Sequence, residues 1–127
     1  MKRPFLTRKR REYPEFPIHA ACYQFLVTAL RNAVVFHPAN EGEREEYQAE
    51  RLKRLGLLPG VADLIVITGG RVYAIEVKAP GGRMTEAQLR FSEDIRVAGG
   101  EFACVTSLDE LRLALKAWGI KTREVAA

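Results

Sequence analysis

Residues 60–80 read GVADLIVITGGRVYAIEVKAP, and no other stretch restricts the fold as tightly. Two apolar, β-branched runs flank Gly69-Gly70, a pair suited to the tight turn of a β-hairpin. With those glycines as the two turn residues, Thr68 faces Arg71 and, counting outward, Asp63 stands opposite Glu76. Directly opposed side chains share a face with their Cβ atoms about 4.5–5.5 Å apart, and like charges placed so repel. Lys78 lies two residues beyond Glu76 and therefore on the same face, because strand side chains alternate. A slip of one residue would send Asp63 and Glu76 to opposite faces, so the arrangement depends on the turn.

The other strand positions are apolar on both faces: Ile65, Ile67, Val72 and Ala74 on one, Leu64, Val66, Tyr73, Ile75 and Val77 on the other. This is the pattern of central strands in a sheet covered by helices on each side. A charge inside such strands must be paired, bound to a metal or used in chemistry. The charged trio is therefore expected at a sheet end, in a cleft. Two carboxylates with room for water suit Mg²⁺ or Mn²⁺, and such an ion polarises a phosphoryl oxygen and lowers the pKa of a bound water. Lys78 would then orient or deprotonate the attacking water, or stabilise charge on the phosphate. A local salt bridge of Lys78 with Glu76 or Asp63 is the competing reading, and on the residues alone both stay open.

Around the hairpin, the segment from about His19 to Arg31 carries Ala21, Phe25, Leu26, Ala29 and Leu30 at helical spacing. AVVFH, stopped by Pro38, reads as a short strand. From Glu43 to Leu55 the chain is rich in Glu, Lys, Arg, Leu and Ala, with Glu46, Glu50 and Arg54 one turn apart and Gly56 where a helix C-terminal glycine belongs, which predicts a second helix with a largely solvated face. After Pro80-Gly81-Gly82, Thr85 can cap a helix running to about Ala98. EFACVT is another strand, and Ser107 with Glu110 forms a capping-box pattern opening a last helix that ends near Trp118-Gly119. The order is αβαββαβα.

A chain of 127 residues, 47% apolar and 28% charged, is long enough for one self-supporting domain, placed at residues 15–127. Cys22 and Cys104 are far apart in apolar runs, which predicts buried free thiols, suits a reducing cytoplasm and argues against a zinc site. EYPEFP stands where a signal peptide would need its apolar segment, and AACYQFLVTAL is too short to span a membrane. The net charge of +4 is uneven: residues 1–11 hold six bases and no acid, which leaves 14 bases against 16 acids, a balance of −2, for the remainder. Residues 1–14 thus read as a basic, flexible arm, either an electrostatic tether for a phosphate backbone or a solvated tail.

The string NEGEREEYQAERLKRLGLLPGVADLIVITGGRVYAIEVKAPGGRMTEAQ resembles the VRR-NUC (virus-type replication-repair nuclease) branch of the PD-(D/E)xK nuclease superfamily. It carries Asn40-Glu41-Gly42, then Gly56 and Gly60 before Asp63, Glu76-Val77-Lys78, Pro80-Gly81-Gly82, and Thr85 to Gln88 at a helix start. The likeness extends over about residues 15–118. It implies an α/β fold with a restriction-endonuclease-like core, a central mixed β-sheet flanked by helices, with Asp63 and Glu76 as ligands of Mg²⁺ or Mn²⁺, the Val77 carbonyl as a further ligand and Lys78 as the catalytic lysine. Gln88 matches the family's helix glutamine beside the site; as the third residue after Thr85 it also completes a capping box.

Two positions depart from the family pattern. Ala62 stands where a proline is usual before the aspartate. Glu15 with His19 is the nearest match to the family's first-helix Glu and Gln, so both are candidate contributors to the site, although a histidine at a helix start also reads as structural. His37, beside Pro38, reads as the end of a strand. Lys9, Arg10, Arg11 and Arg83 are candidate phosphate contacts, Arg83 with the better case because it follows the glycine loop next to Lys78.

The expected activity is metal-dependent hydrolysis of DNA phosphodiesters by an endonuclease. The stand-alone size resembles phage and bacterial VRR-NUC proteins that act in DNA repair as homodimers on branched DNA such as Holliday junctions. Two other readings are a non-cleaving nucleic-acid-binding module and a nuclease subunit that works only with a replication or repair partner.

Overall fold

The computed structural model describes residues 14–39 and 45–123. Lys9, Arg10, Arg11 and the Asn40-Glu41-Gly42 loop lie outside the described residues. Within them the chain forms α1 (Glu15–Ala29), β1 (Ala33–Phe36), α2 (Glu46–Arg54), β2 (Leu64–Thr68), β3 (Arg71–Val77), α3 (Glu86–Val97), β4 (Glu101–Val105) and α4 (Leu108–Ala117). This is the order expected from the sequence.

The four strands make one sheet in the order β1-β2-β3-β4. β1 and β2 are antiparallel, as are β2 and β3, whereas β3 and β4 run parallel. Gly69 and Gly70 take positive φ of 59° and 76°, the backbone that a two-residue hairpin turn requires. The register follows: Thr68 pairs with Arg71 and Leu64 with Ile75, so Asp63 and Glu76 are the next positions outward. Parallel β4 needs a crossover, and α3 supplies it.

Each sheet face has its own core. On one, Leu64, Val66, Tyr73, Ile75 and Val77 pack with Cys22 and Leu26 of α1 and Leu111 and Leu115 of α4. On the other, Ile65, Ala74 and Phe102 pack with Phe91 of α3. Truncating a fully buried leucine such as Leu26 to alanine in such a core costs about 2–5 kcal/mol. The second layer is incomplete. Its helix α3 lies over β3 and β4, which leaves Val34, Phe36 and Ile67 exposed; Ile67 is thus not the covered core position that the sequence pattern implies.

Three local differences from the sequence reading have plain causes. The first helix begins at Glu15 rather than His19. Pro17 sits in its first turn, where the missing N–H would have found no helical acceptor, so it does not delay the helix. At α4 only half of the expected capping box forms: Ser107 Oγ accepts from Glu110 N, but the Glu110 carboxylate reaches back to the backbone and hydroxyl of Thr106 instead of Ser107. Cys22 is buried, but Cys104 is an exposed thiol. It lies on the edge strand β4, just past Phe102, where the cover provided by α3 runs out.

No described helix is long and apolar enough to cross a membrane. Charged α2 buries none of its residues, in line with its solvated face.

Candidate active site

The hairpin delivers the carboxylates to one end of the sheet, where the N-terminal turns of α1 and α3 also arrive. Asp63 sits at the entrance to β2. Its Oδ2 accepts the Val77 N–H at 2.7 Å, so the carboxylate takes over where the β2–β3 ladder stops. Because a strand residue directs its N–H and C=O to the same neighbour, the Val77 carbonyl faces the Asp63 side as well.

Glu76 is only 2% exposed. Its Oε2 accepts from Gln88 Nε2 at 3.3 Å and lies 4.0 Å from Lys78 Nζ. Its Oε1 is buried and, among the described residues, meets no hydrogen-bond donor. Burial first, then the hydrogen bond and charge of Asp63, push the Glu76 carboxyl from 4.5 up to about 9; Lys78 pulls it down, and Glu15 adds a small upward push. Glu15 is therefore within electrostatic reach of the site.

Lys78 has a side chain only 11% exposed, and 4.0 Å is too long for a hydrogen bond to Glu76. The Lys78–Glu76 salt bridge that the residues allowed is present, but at its long limit of 4.0 Å and nearly out of solvent. Lys78 N donates to Val105 O at 2.9 Å, which anchors the residue to β4.

Gln88 makes the expected cap and also reaches Glu76. Thr85 Oγ1 accepts from Gln88 N, and Thr85 N donates to Gln88 Oε1, which is the reciprocal capping box of α3. With Oε1 held by the cap, Nε2 is turned toward Glu76. Gly60 makes this approach possible. Its φ is +78°, and a Cβ there would stand 2.3 Å from Ala87 C and O, so the loop leading to Asp63 rests directly on the first turn of α3.

Arg83 is exposed just beyond the glycine loop. His19 and His37, which the sequence reading gave no firm part, come together beside Asp63: the rings are edge to face with centroids 4.8 Å apart, and His37 Nδ1 contacts Asp63 O at 2.6 Å. Only the pairing of β1 with β2, invisible in the β1 sequence alone, brings His37 there. Cys104 pairs with Glu76 across β3 and β4; although the residue is exposed, partial desolvation first and then the nearby Glu76 carboxylate push its thiol up.

The donor set suits a hard divalent cation. Two carboxylates and a main-chain carbonyl are oxygen ligands, and the unpartnered Oε1 of Glu76 is the kind of buried acceptor that a cation would satisfy. No family model matches the chain, and no curated protein does. Among solved structures the chain is similar to one described as a VRR_NUC domain protein, with a TM-score of 0.67 and 17% identity over 86% of this chain and 90% of that one. At that identity the likeness speaks for architecture, and the chain has the α/β, restriction-endonuclease-like fold of a VRR-NUC domain.

Proposed function

We propose that this chain is a Mg²⁺- or Mn²⁺-dependent endonuclease of the PD-(D/E)xK type, acting on branched DNA as a homodimer. The observation that carries the reading is Glu76: a carboxyl 2% exposed, with one oxygen unpartnered among the described residues, next to a second carboxylate and a lysine. A merely structural pair would have been cheaper as apolar residues, since buried charges are costly unless they are fully satisfied.

Asp63, Glu76 and the Val77 carbonyl would hold the cation, which supplies Lewis-acid polarisation of the scissile phosphate and a more acidic water. Lys78 orients the attacking water and offsets charge gathering on the phosphate. Gln88 holds Glu76 in place and, through its cap, ties the carboxylate to α3. The N-terminal turns of α1 and α3 favour an anionic backbone at this end of the sheet. Arg83 contacts a neighbouring phosphate. The water oxygen bonds to phosphorus while the P–O3′ bond breaks; the water loses a proton and the leaving 3′ oxygen gains one, giving a 5′-phosphate and a 3′-hydroxyl. Symmetric cutting of a four-way junction needs two such sites, which a twofold dimer provides.

The test compares wild type and Lys78→Ala on end-labelled four-way junction, flap, single-stranded and duplex DNA, with Mg²⁺, Mn²⁺ or EDTA. Paired nicks at the junction that need both the cation and Lys78 are expected, at rates at least about a hundredfold above the variant. Cutting of every substrate would remove the branch preference. Absence of Lys78-dependent cutting would sink the nuclease reading, and a monomer in sedimentation with DNA would sink the dimer.

A further inference from the structure

Helix α1 is apolar on two sides. Ile18, Phe25 and Leu26 turn toward the core between α1, α4 and the sheet, and Arg112 of α4 lies over the Phe25 ring. Phe16, Ala20, Tyr23 and Val27 form a second apolar stripe, and all four are exposed. Their spacing of four, three and four residues sets them in one line along the helix, on the side turned away from Phe25 and therefore from α4. Because α4 packs on β4 and α1 on β1, that side looks out over the β1 edge of the sheet.

Strand β1 continues the patch around this edge. Its outer side pairs with no other described strand. Ala33 and Val35 face the core under α1, so Val34 and Phe36 project from the opposite face, where Val34 stands beside exposed Ile67. Soluble proteins guard such edges with lysine, proline or a cover, and the strand Ala33–Phe36 contains neither of those residues. Together Phe16, Tyr23, Val27, Val34, Phe36 and Ile67 expose about 500 Å² of largely apolar surface, against the roughly 800 Å² that each partner gives to a standard interface. Adjoining backbone and small residues such as Ala20 bring the flank into the range that a stable dimer needs.

The chemistry of the flank selects its occupant. None of these side chains is charged, so they offer nothing to a phosphate backbone. The flank is also self-complementary. The spacing of the α1 stripe is that of the seam by which helices pair with their own copies. An edge strand laid antiparallel to its own copy about Val35 sets Val34 of each chain opposite Phe36 of the other, on the same face. One twofold axis serves both contacts, with the α1 helices side by side on one face of the sheet and the Val34 and Phe36 rows joined on the other.

We propose that the β1 flank, made of the outer stripe of α1 and the edge strand β1, is where a second copy of this chain docks. The inference rests on the homodimer of the proposed function and gives it a surface. Sedimentation across a concentration series, without DNA, compares wild type with Tyr23→Lys, Val34→Lys and the control Leu113→Lys, which alters an exposed residue of α4 outside the flank. Wild type and the control should sediment as dimers of equal affinity, and each flank variant should dissociate at least about tenfold more readily.

A monomeric wild type at tens of micromolar, a dimer as tight in both flank variants as in wild type, or equal weakening by Leu113→Lys would each overturn the proposal. So would a monomer that dimerises only once residues 1–11 are deleted, because the arm would then be the occupant. Circular dichroism melts check folding; if one flank variant unfolds the other decides, and if both do, oxidative cross-linking of Ala20→Cys in a Cys104→Ser background decides. Lys78→Ala should sediment as wild type does. A flank-dependent dimer without Lys78-dependent cleavage would sink the nuclease and leave this surface standing, and Lys78-dependent cleavage by a monomer would do the reverse.

Discussion

Glu76 is where folding and function pull in opposite directions. Its carboxyl ionises at an ordinary 4.5 in the unfolded chain and at about 9 in the fold, so between those values the folded state binds the extra proton. Its contribution to stability is therefore complete below about pH 4.5 and is lost as pH rises toward 9. Thermal melts in EDTA should show Glu76→Gln matching wild type near the acid end of that window and melting higher at the alkaline end. The gain should be about 1–3 kcal/mol, or roughly 4–12 °C, because the variant amide never ionises. A constant difference at all pH values would mean that ionisation of Glu76 is not what burdens the fold. Mg²⁺ should narrow the gap at the alkaline end, since a cation favours the carboxylate. That Asp63, Glu76 and Lys78 would meet was legible in the sequence, because a two-residue turn fixes the register and alternation does the rest. The place of His37 beside Asp63 was not: it depends on which strand β1 joins, a choice made by packing across distant segments. For Gln88 the spacing announced the cap, but only the side-chain geometry shows one amide serving Thr85 with its oxygen and Glu76 with its nitrogen.

Between elements, the contact that sets the site is the loop before β2 lying against the first turn of α3. Gly60 and Gly56 make a controlled comparison there. Both have positive φ, +78° and +104°, but a Cβ on Gly60 would collide with the Ala87 carbonyl group whereas one on Gly56 would meet nothing within 4 Å. Gly56→Ala should cost only the backbone strain, about 1–2 kcal/mol. Gly60→Ala adds the clash and should cost about 3 kcal/mol or more, and it should also depress Lys78-dependent cleavage at temperatures where the variant is still folded. Urea melts of the two variants measure the difference, and equal losses would mean that the loop can withdraw from α3 without penalty. Elements with local signals were legible at this scale: the Gly-Gly turn, the Thr85 cap and the glycine after α2 each announce themselves within four residues. The start of α1 was hidden because a proline in a first turn looks like a stop. The Glu110 contact was misassigned because the backbone donor from which a capping carboxylate accepts can shift by one residue, here from Ser107 to Thr106, at no cost in spacing.

Across the whole molecule, charge and cover are both lopsided. The sheet face under α3 is left open over β1 and β2, where Val34, Phe36 and Ile67 are exposed, a shortfall that alternation of apolar residues cannot announce, since it marks a face as apolar without saying how many helices will reach it. The charge asymmetry, by contrast, is plain in the sequence: six bases fall in residues 1–11, and without them the balance changes from +4 to −2. A body of that sign has little long-range attraction for DNA, so binding should lean on the arm. Each phosphate contact steepens the dependence of log affinity on log salt by about 0.9 for duplex DNA. Deleting residues 1–11 should therefore weaken binding at low salt and flatten that slope by up to about 5, while Arg83→Ala should flatten it by about 1. Cleavage of already saturated DNA should be little changed by the deletion, because the proposed chemistry resides in Asp63, Glu76 and Lys78. Fluorescence anisotropy across a salt series gives both slopes. A truncated chain with the wild-type slope would make the arm a solvated tail and move the phosphate contacts onto the folded body, with Arg83 the first place to look.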